Sequence, residues 1–82
     1  MGKEKLIREL IRRGYGAEFA PDAAENFIND FESSEDALLY LEWTDLPPEE
    51  RENFLKEEVP RRAKNPELLR LRIMMNAPDV VP

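Results

Sequence analysis

Apolar residues in this chain return with the period of a helix, and each such run is fenced by a proline, a glycine or a capping side chain. Leu6, Ile7, Leu10 and Ile11 fall at i, i+1, i+4 and i+5, one face of a first helix over 3–13. Glu4 with Arg8 and Glu9 with Arg13 are acid-before-base pairs at i,i+4, each worth about 0.2–0.5 kcal/mol. Arg12 and Arg13 set cations at the negative end of the helix dipole, and Gly14 tolerates the positive φ that stops a helix. Residues 15–20 read as a loop. Pro21 suits the opening of a second helix, where its missing N–H costs nothing. Ala23, Ala24, Phe27, Ile28 and Phe31 carry the same period, and the helix ends near Asp30 or Phe31. No segment alternates apolar and polar with period two, so no strand is expected.

Three more helices follow. Ser33 or Ser34 caps the third, and Ser33 with Asp36 three residues on resembles a capping box, with aspartate where glutamate is usual. Ala37, Leu38 and Leu41 form its expected inner face, with Tyr40 and Trp43 beside it; 44–47 is a tight connection. Pro48 followed by Glu49 and Glu50 opens a fourth helix over 48–59, with Phe54, Leu55 and Val59 as its apolar stripe. Pro60 is expected to end it, because the residue before a proline is pushed out of the helical region. After a basic linker at 61–64, Asn65-Pro66-Glu67 opens a fifth helix over 66–75. Its apolar residues Leu68, Leu69, Leu71, Ile73, Met74 and Met75 do not keep to one narrow face. From Asn76 through Pro78 the tail is expected to be irregular. The fold class is therefore all-α: a small helical bundle, one domain over 1–82, with a three-helix core at 3–43 and two C-terminal helices at 48–59 and 66–75.

A chain of 82 residues buries only about 60–65 % of its unfolded surface, so its core is small. It holds no cysteine and no histidine. That excludes disulfides and zinc-thiolate sites, and removes the commonest general base near neutral pH and the commonest transition-metal ligand. Its charge of −6 is uneven. Lys3, Lys5, Arg8, Arg12 and Arg13 make residues 1–13 basic, residues 14–60 are strongly acidic, and Arg61, Arg62, Lys64, Arg70 and Arg72 make the C-terminal part basic again. The two basic ends have an acidic centre to meet, in the same chain or in another. No apolar run approaches the roughly 18 residues of a membrane span, and the N-terminus lacks the apolar core of a secretion signal. A cytoplasmic location is the default expectation.

Four features of the chain bear on catalytic or metal chemistry. Carboxylates such as Glu35 with Asp36, or Glu57 with Glu58, are expected on polar, solvated faces, whereas catalytic carboxylates need burial or a partner to shift their pKa. Asp30, Glu32, Ser34 and Asp36 have the spacing of calcium-loop oxygens, but the sixth and twelfth positions of an EF-hand, glycine and glutamate, are here Glu35 and Leu41. Gly14-Tyr15-Gly16 follows a helix, whereas phosphate-binding glycine motifs follow a strand. Ser33 and Ser34 have no histidine to activate them. No enzyme and no cofactor are expected.

Two sets of residues suit a partner. Tyr15 and Phe19 in the first loop, with Trp43 at the end of the third helix, are either staples closing a small core or aromatic anchors for binding. The apolar set on the fifth helix, Leu69, Ile73, Met74 and Met75 above all, is either sandwiched in the core or covered by another chain, including a second copy of this one.

Residues 3–43 resemble the ubiquitin-associated (UBA-like) three-helix bundle. Leu10 stands four residues before the Gly14-Tyr15 turn, like the family's Gly-Phe or Gly-Tyr loop. Phe27 and Phe31 lie on the second helix, and Glu35, Ala37, Leu38, Tyr40 and Leu41 match the family's closing Glu-x-Ala-Val-x-Tyr-Leu pattern. Arg13 departs from the apolar residue usual before the glycine. The resemblance implies a compact bundle that binds a protein through Gly14, Tyr15 and the end of the third helix.

The function expected is non-catalytic protein–protein interaction. Two alternatives come from other classes. An acidic inhibitor mimicking nucleic acid would need carboxylates over one continuous face. A direct nucleic-acid binder would use the basic 61–72 segment, against the acidic balance of the whole.

Overall fold

The computed structural model describes residues 2–76, and among them every regular element is a helix. They are α1 (Gly2–Arg12), α2 (Ala20–Phe31), α3 (Ser34–Asp45), α4 (48–62) and α5 (Pro66–Asn76). Asn76, expected to be irregular, is the last residue of α5. The rest of the expected irregular tail, including Pro78, lies outside the described residues.

α1 and α3 run in the same direction. Gly2 lies so close to Ser34 that a Cβ there would collide with the hydroxyl. At the other end, Arg13 reaches Asp45 at the close of α3. α2 returns between them, with Lys3 bridging to Glu25 at 3.3 Å. α1 buries Leu6 and Leu10, and α2 buries Ala20, Ala24 and Phe31. α3 is the central helix, in contact with α1, α2 and α5, and it buries Asp36, Ala37, Leu39, Leu41 and Trp43. The expected inner face of Ala37, Leu38 and Leu41 is corrected on this point. Leu38 is half-buried while Leu39 is in the core, because neighbours on several sides leave α3 no single inward stripe.

The helix ends follow their local chemistry. After α1, Gly14 takes φ 105°, the Gly14 N–H donates to the Ile11 carbonyl and the Tyr15 N–H to the Leu10 carbonyl, 3.0 and 3.1 Å, which is the Schellman arrangement. α2 ends on Glu32 at φ 62°, a left-handed conformation held by a residue with a side chain. α3 opens with the Asp36 N–H donating to Ser33 Oγ at 3.0 Å. The Asp36 carboxylate does not close the expected capping box. Its two oxygens accept the backbone N–H groups of Lys64 and Asn65, at 2.8 and 2.9 Å. Asp36 thereby ties the entry of α5 to the start of α3.

Two helix ends differ from expectation, and the first is that of α3, which runs on through Thr44 and Asp45 where a connection over 44–47 was expected. The fourth helix does not stop at 59 and 61–64 is not wholly a linker, because the helix passes Pro60 and reaches Arg62. A proline inside a helix brings its ring against the carbonyl four residues back. Here Phe54–Glu58 widen into a π turn, with the Val59 N–H donating to the Phe54 carbonyl, immediately before the proline. The widened turn lets the chain take up the ring without ending the helix. The fifth helix resolves into two sides: Leu69 and Ile73 are wholly buried against the bundle, while Leu71, Met74 and Met75 are exposed.

Candidate functional site

The turn after α1 displays apolar side chains from a fixed backbone. Its two Schellman hydrogen bonds set the direction in which Tyr15 leaves the helix. Four residues on, the N–H groups of Phe19 and Ala20 both donate to the Gly16 carbonyl at 2.9 Å, a compact turn that places Phe19 at the mouth of α2. Phe19 is 65 % exposed, Tyr15 42 % and Ile11 41 %. Gly14 is exposed beside them. Ile11, on the last turn of α1, joins Tyr15 and Phe19 as a surface residue that the sequence assigned to the inner face of its helix.

Behind this turn stands a row of rings. Phe27 stacks on Phe31 at 6.2 Å, Phe31 on Tyr40 at 5.0 Å, and Tyr40 on Trp43 at 6.2 Å. Burial, and then the field of Tyr15, push the Tyr40 phenol above its ordinary pKa of 10.0.

Trp43 is not on the surface with Tyr15 and Phe19. It is 2 % exposed, a correction to its assignment as a contact residue. The cause is α4, which lays Arg51 over the indole with its guanidinium carbon 4.7 Å from the ring centroid. Arg51 also donates to the carbonyls of Leu46 and Thr44, each at 3.1 Å, so it caps the C-terminal end of α3 from the next helix. The sequence carried one sign of this role. A cation one turn into a helix opened by Pro48, Glu49 and Glu50 sits at the unfavourable end of its own dipole, so its partners belong elsewhere. Among the described residues the Trp43 Nε1 has no hydrogen-bond acceptor.

Of the residues chosen on the fifth helix, Leu69 and Ile73 are core residues of this chain and offer nothing to a partner. Met74 and Met75 are exposed, together with Leu71, at i, i+3 and i+4 on the outer side.

The charged ends are folded onto the acidic centre of the same chain. Arg13 pairs with Glu9 at 2.7 Å and with Asp45, and Arg12 reaches the same two carboxylates. Arg62 pairs with Glu42 at 2.7 Å, Lys64 with Glu35 at 3.5 Å and Arg61 with Glu58 at 2.6 Å, while Arg72 donates to the Asp30 carbonyl at 3.0 Å. An open groove of about 240 Å³ between α1 and α3, lined by Lys5, Glu9, Arg13, Leu38, Leu41 and Glu42, is likewise of mixed charge. Among the described residues no cluster of acids is arranged to hold a metal ion, and no helix is long and apolar enough to cross a membrane.

No family model, no curated protein and no solved structure matches the chain significantly.

Proposed function

We propose that this chain is a non-catalytic protein-binding module whose partner surface is the turn after α1. The observation that carries this reading is the outward display of Ile11, Tyr15 and Phe19 on a hydrogen-bonded turn. Large aromatic anchors held on a rigid backbone bind with little loss of conformational entropy. The UBA-like reading of the N-terminal bundle belongs to the same proposal. It is supported by the three-helix order, by the Gly14-Tyr15 turn, and by Tyr40 standing behind that turn on α3.

The alternatives have less support. Ion pairing within the chain occupies Glu9, Glu25, Glu35, Glu42, Asp45, Glu52 and Glu58, which breaks up the acidic face that nucleic-acid mimicry requires. The pairing of Arg61, Arg62 and Lys64 with carboxylates equally weakens the basic 61–72 segment as a phosphate-binding surface.

The test compares protein capture from the source cell by the wild-type chain, by a Tyr15→Ser/Phe19→Ser variant and by a Leu71→Ser/Met75→Ser variant, all with matched helical circular dichroism. The first variant is expected to lose a partner that the second retains. A partner captured equally by all three would move the binding surface elsewhere on the molecule. Ubiquitin, titrated separately into isotope-labelled chain, is the probe for the partner class implied by the resemblance.

A further inference from the structure

We propose that the first turns of α4, residues 48–53, are a displaceable cover over Trp43. The bundle then has a closed form, with Trp43 buried, and an open form in which Trp43, stacked on Tyr40, is exposed at the surface. The use of the open form rests on the protein-binding reading; the opening itself does not.

The cover is lightly attached. None of the side chains of Pro48–Asn53 is buried. The backbone of 48–58 makes no broad close approach to the three-helix bundle, and the segment is held by Arg51 and, beyond it, by the buried Phe54 and the half-buried Leu55. The end of α4 is fastened differently: Val59 is wholly buried, Arg62 pairs with Glu42, and the Asp36 carboxylate holds the backbone just beyond. Segments with few buried apolar contacts open at the low end of the stability range, well before the whole fold.

The segment also lies between two breaks in regular helix. On one side Leu46 and Pro47 are extended, with ψ 148° and 153°. On the other is the π turn at Phe54–Glu58, a feature frequent at functional sites.

What lies beneath is incompletely matched in the closed form. Trp43 is desolvated, yet Arg51 meets the face of its ring, and the in-plane Nε1–H has no acceptor among the described residues. Buried indole N–H groups are usually paired. Opening returns this donor to water, or to a backbone carbonyl of a partner segment whose apolar side chain lies against Tyr40.

The chain has one tryptophan, so its fluorescence reads the cover directly. Acrylamide quenching of Trp43 is measured on the full chain, with and without sub-denaturing urea, beside backbone amide exchange. In the wild type, the amides of 51–53 are expected to exchange faster than those of Val59, Arg61, Arg62 and the body of α5, and quenching should rise before helical circular dichroism falls. Arg51→Ala is expected to raise the quenching constant roughly fivefold or more without urea, with the circular dichroism unchanged, since charge-assisted bonds to two carbonyls are lost. If wild-type Trp43 becomes accessible only in the same urea step that melts the helices, the cover does not open and the proposal fails. That wild-type measurement decides the matter even if Arg51→Ala does not fold. No partner enters the experiment, so its failure and the failure of the binding reading are separate results.

Discussion

Asp36, wholly buried in the first turn of α3, accepts the backbone N–H of Asn65 at 2.9 Å, joining the start of α3 to the residue that opens α5. Its other oxygen takes the neighbouring N–H of Lys64. One side chain thus fixes where α5 begins, and so which of its residues, Leu69 and Ile73, fall into the core.

Replacing Asp36 by alanine leaves two N–H groups at the loop without their acceptor. A loss of about 2–4 kcal/mol is expected. Asp36→Asn keeps one acceptor oxygen but turns an amide donor toward an N–H, so it should recover only part of the loss. Urea unfolding followed by circular dichroism checks both, and an unchanged midpoint for Asp36→Ala would show that this contact does not hold α5 in place.

Gly14 stands at φ 105° with open space around the position of a Cβ. The cost of Gly14→Ala is therefore conformational rather than a matter of crowding. It should be about 1–2 kcal/mol, or a melting temperature lowered by roughly 5–10 °C. A thermal melt within a degree or two of wild type would show that the turn relaxes to another conformation.

Glu32 is the opposite case. It ends α2 at φ 62°, where a glycine would be unstrained. Its side chain is exposed, so Glu32→Gly should stabilise the chain by about 0.5–1 kcal/mol, measured by the same melts. Destabilisation would mean that the carboxylate has a role beyond ending the helix.

Three carboxylates give the stability a defined acid limb. Hydrogen bonds from Arg13 and then Arg12 hold Glu9 below its ordinary value of 4.5. Glu35 is lowered first by its own backbone N–H, and Glu58 first by Arg61. A carboxylate depressed by folding stabilises above its unfolded pKa, and that contribution is lost as the pH falls through the folded value. Stability should accordingly hold steady above pH 4.5 and decline below it. Urea midpoints taken down to about pH 2.5 check the sign, and added salt should shrink the effect because these groups are near the surface. A midpoint that rises on acidification would contradict it.

Much of this fold was legible because the chain writes its helix starts locally. Ser33, Pro21, Pro48 and the Asn65-Pro66 pair act on backbone groups within three residues of themselves, and the structure places a helix start at each. The Gly14 stop is equally local. What could not be read depends on contacts distant in sequence. The reach of Asp36 to Asn65 spans 29 residues. The many-sided burial of α3 erases the periodic stripe by which a helix is recognised. Trp43 reads equally as a core staple or a binding aromatic, because only the placement of Arg51, in another helix, shows that it is covered. On α5 the apolar residues exceed one face, and only the packed bundle separates Leu69 and Ile73 from Leu71, Met74 and Met75.

The π turn in α4 has a consequence for the length of the chain. A π turn is an α-helix that has absorbed one surplus residue, so α4 holds a reserve of register that its neighbours lack. Removing one exposed residue there, such as Lys56 or Glu57, would return the turn to ordinary pitch and carry Val59 and all of α5 forward unrotated. It would also bring the ring of Pro60 back against the carbonyl that the widened turn now avoids. The deletion and the proline are therefore coupled. Shortening α4 alone should be damaging, and shortening it together with Pro60→Ala should be nearly neutral, as if the two changes were a single edit.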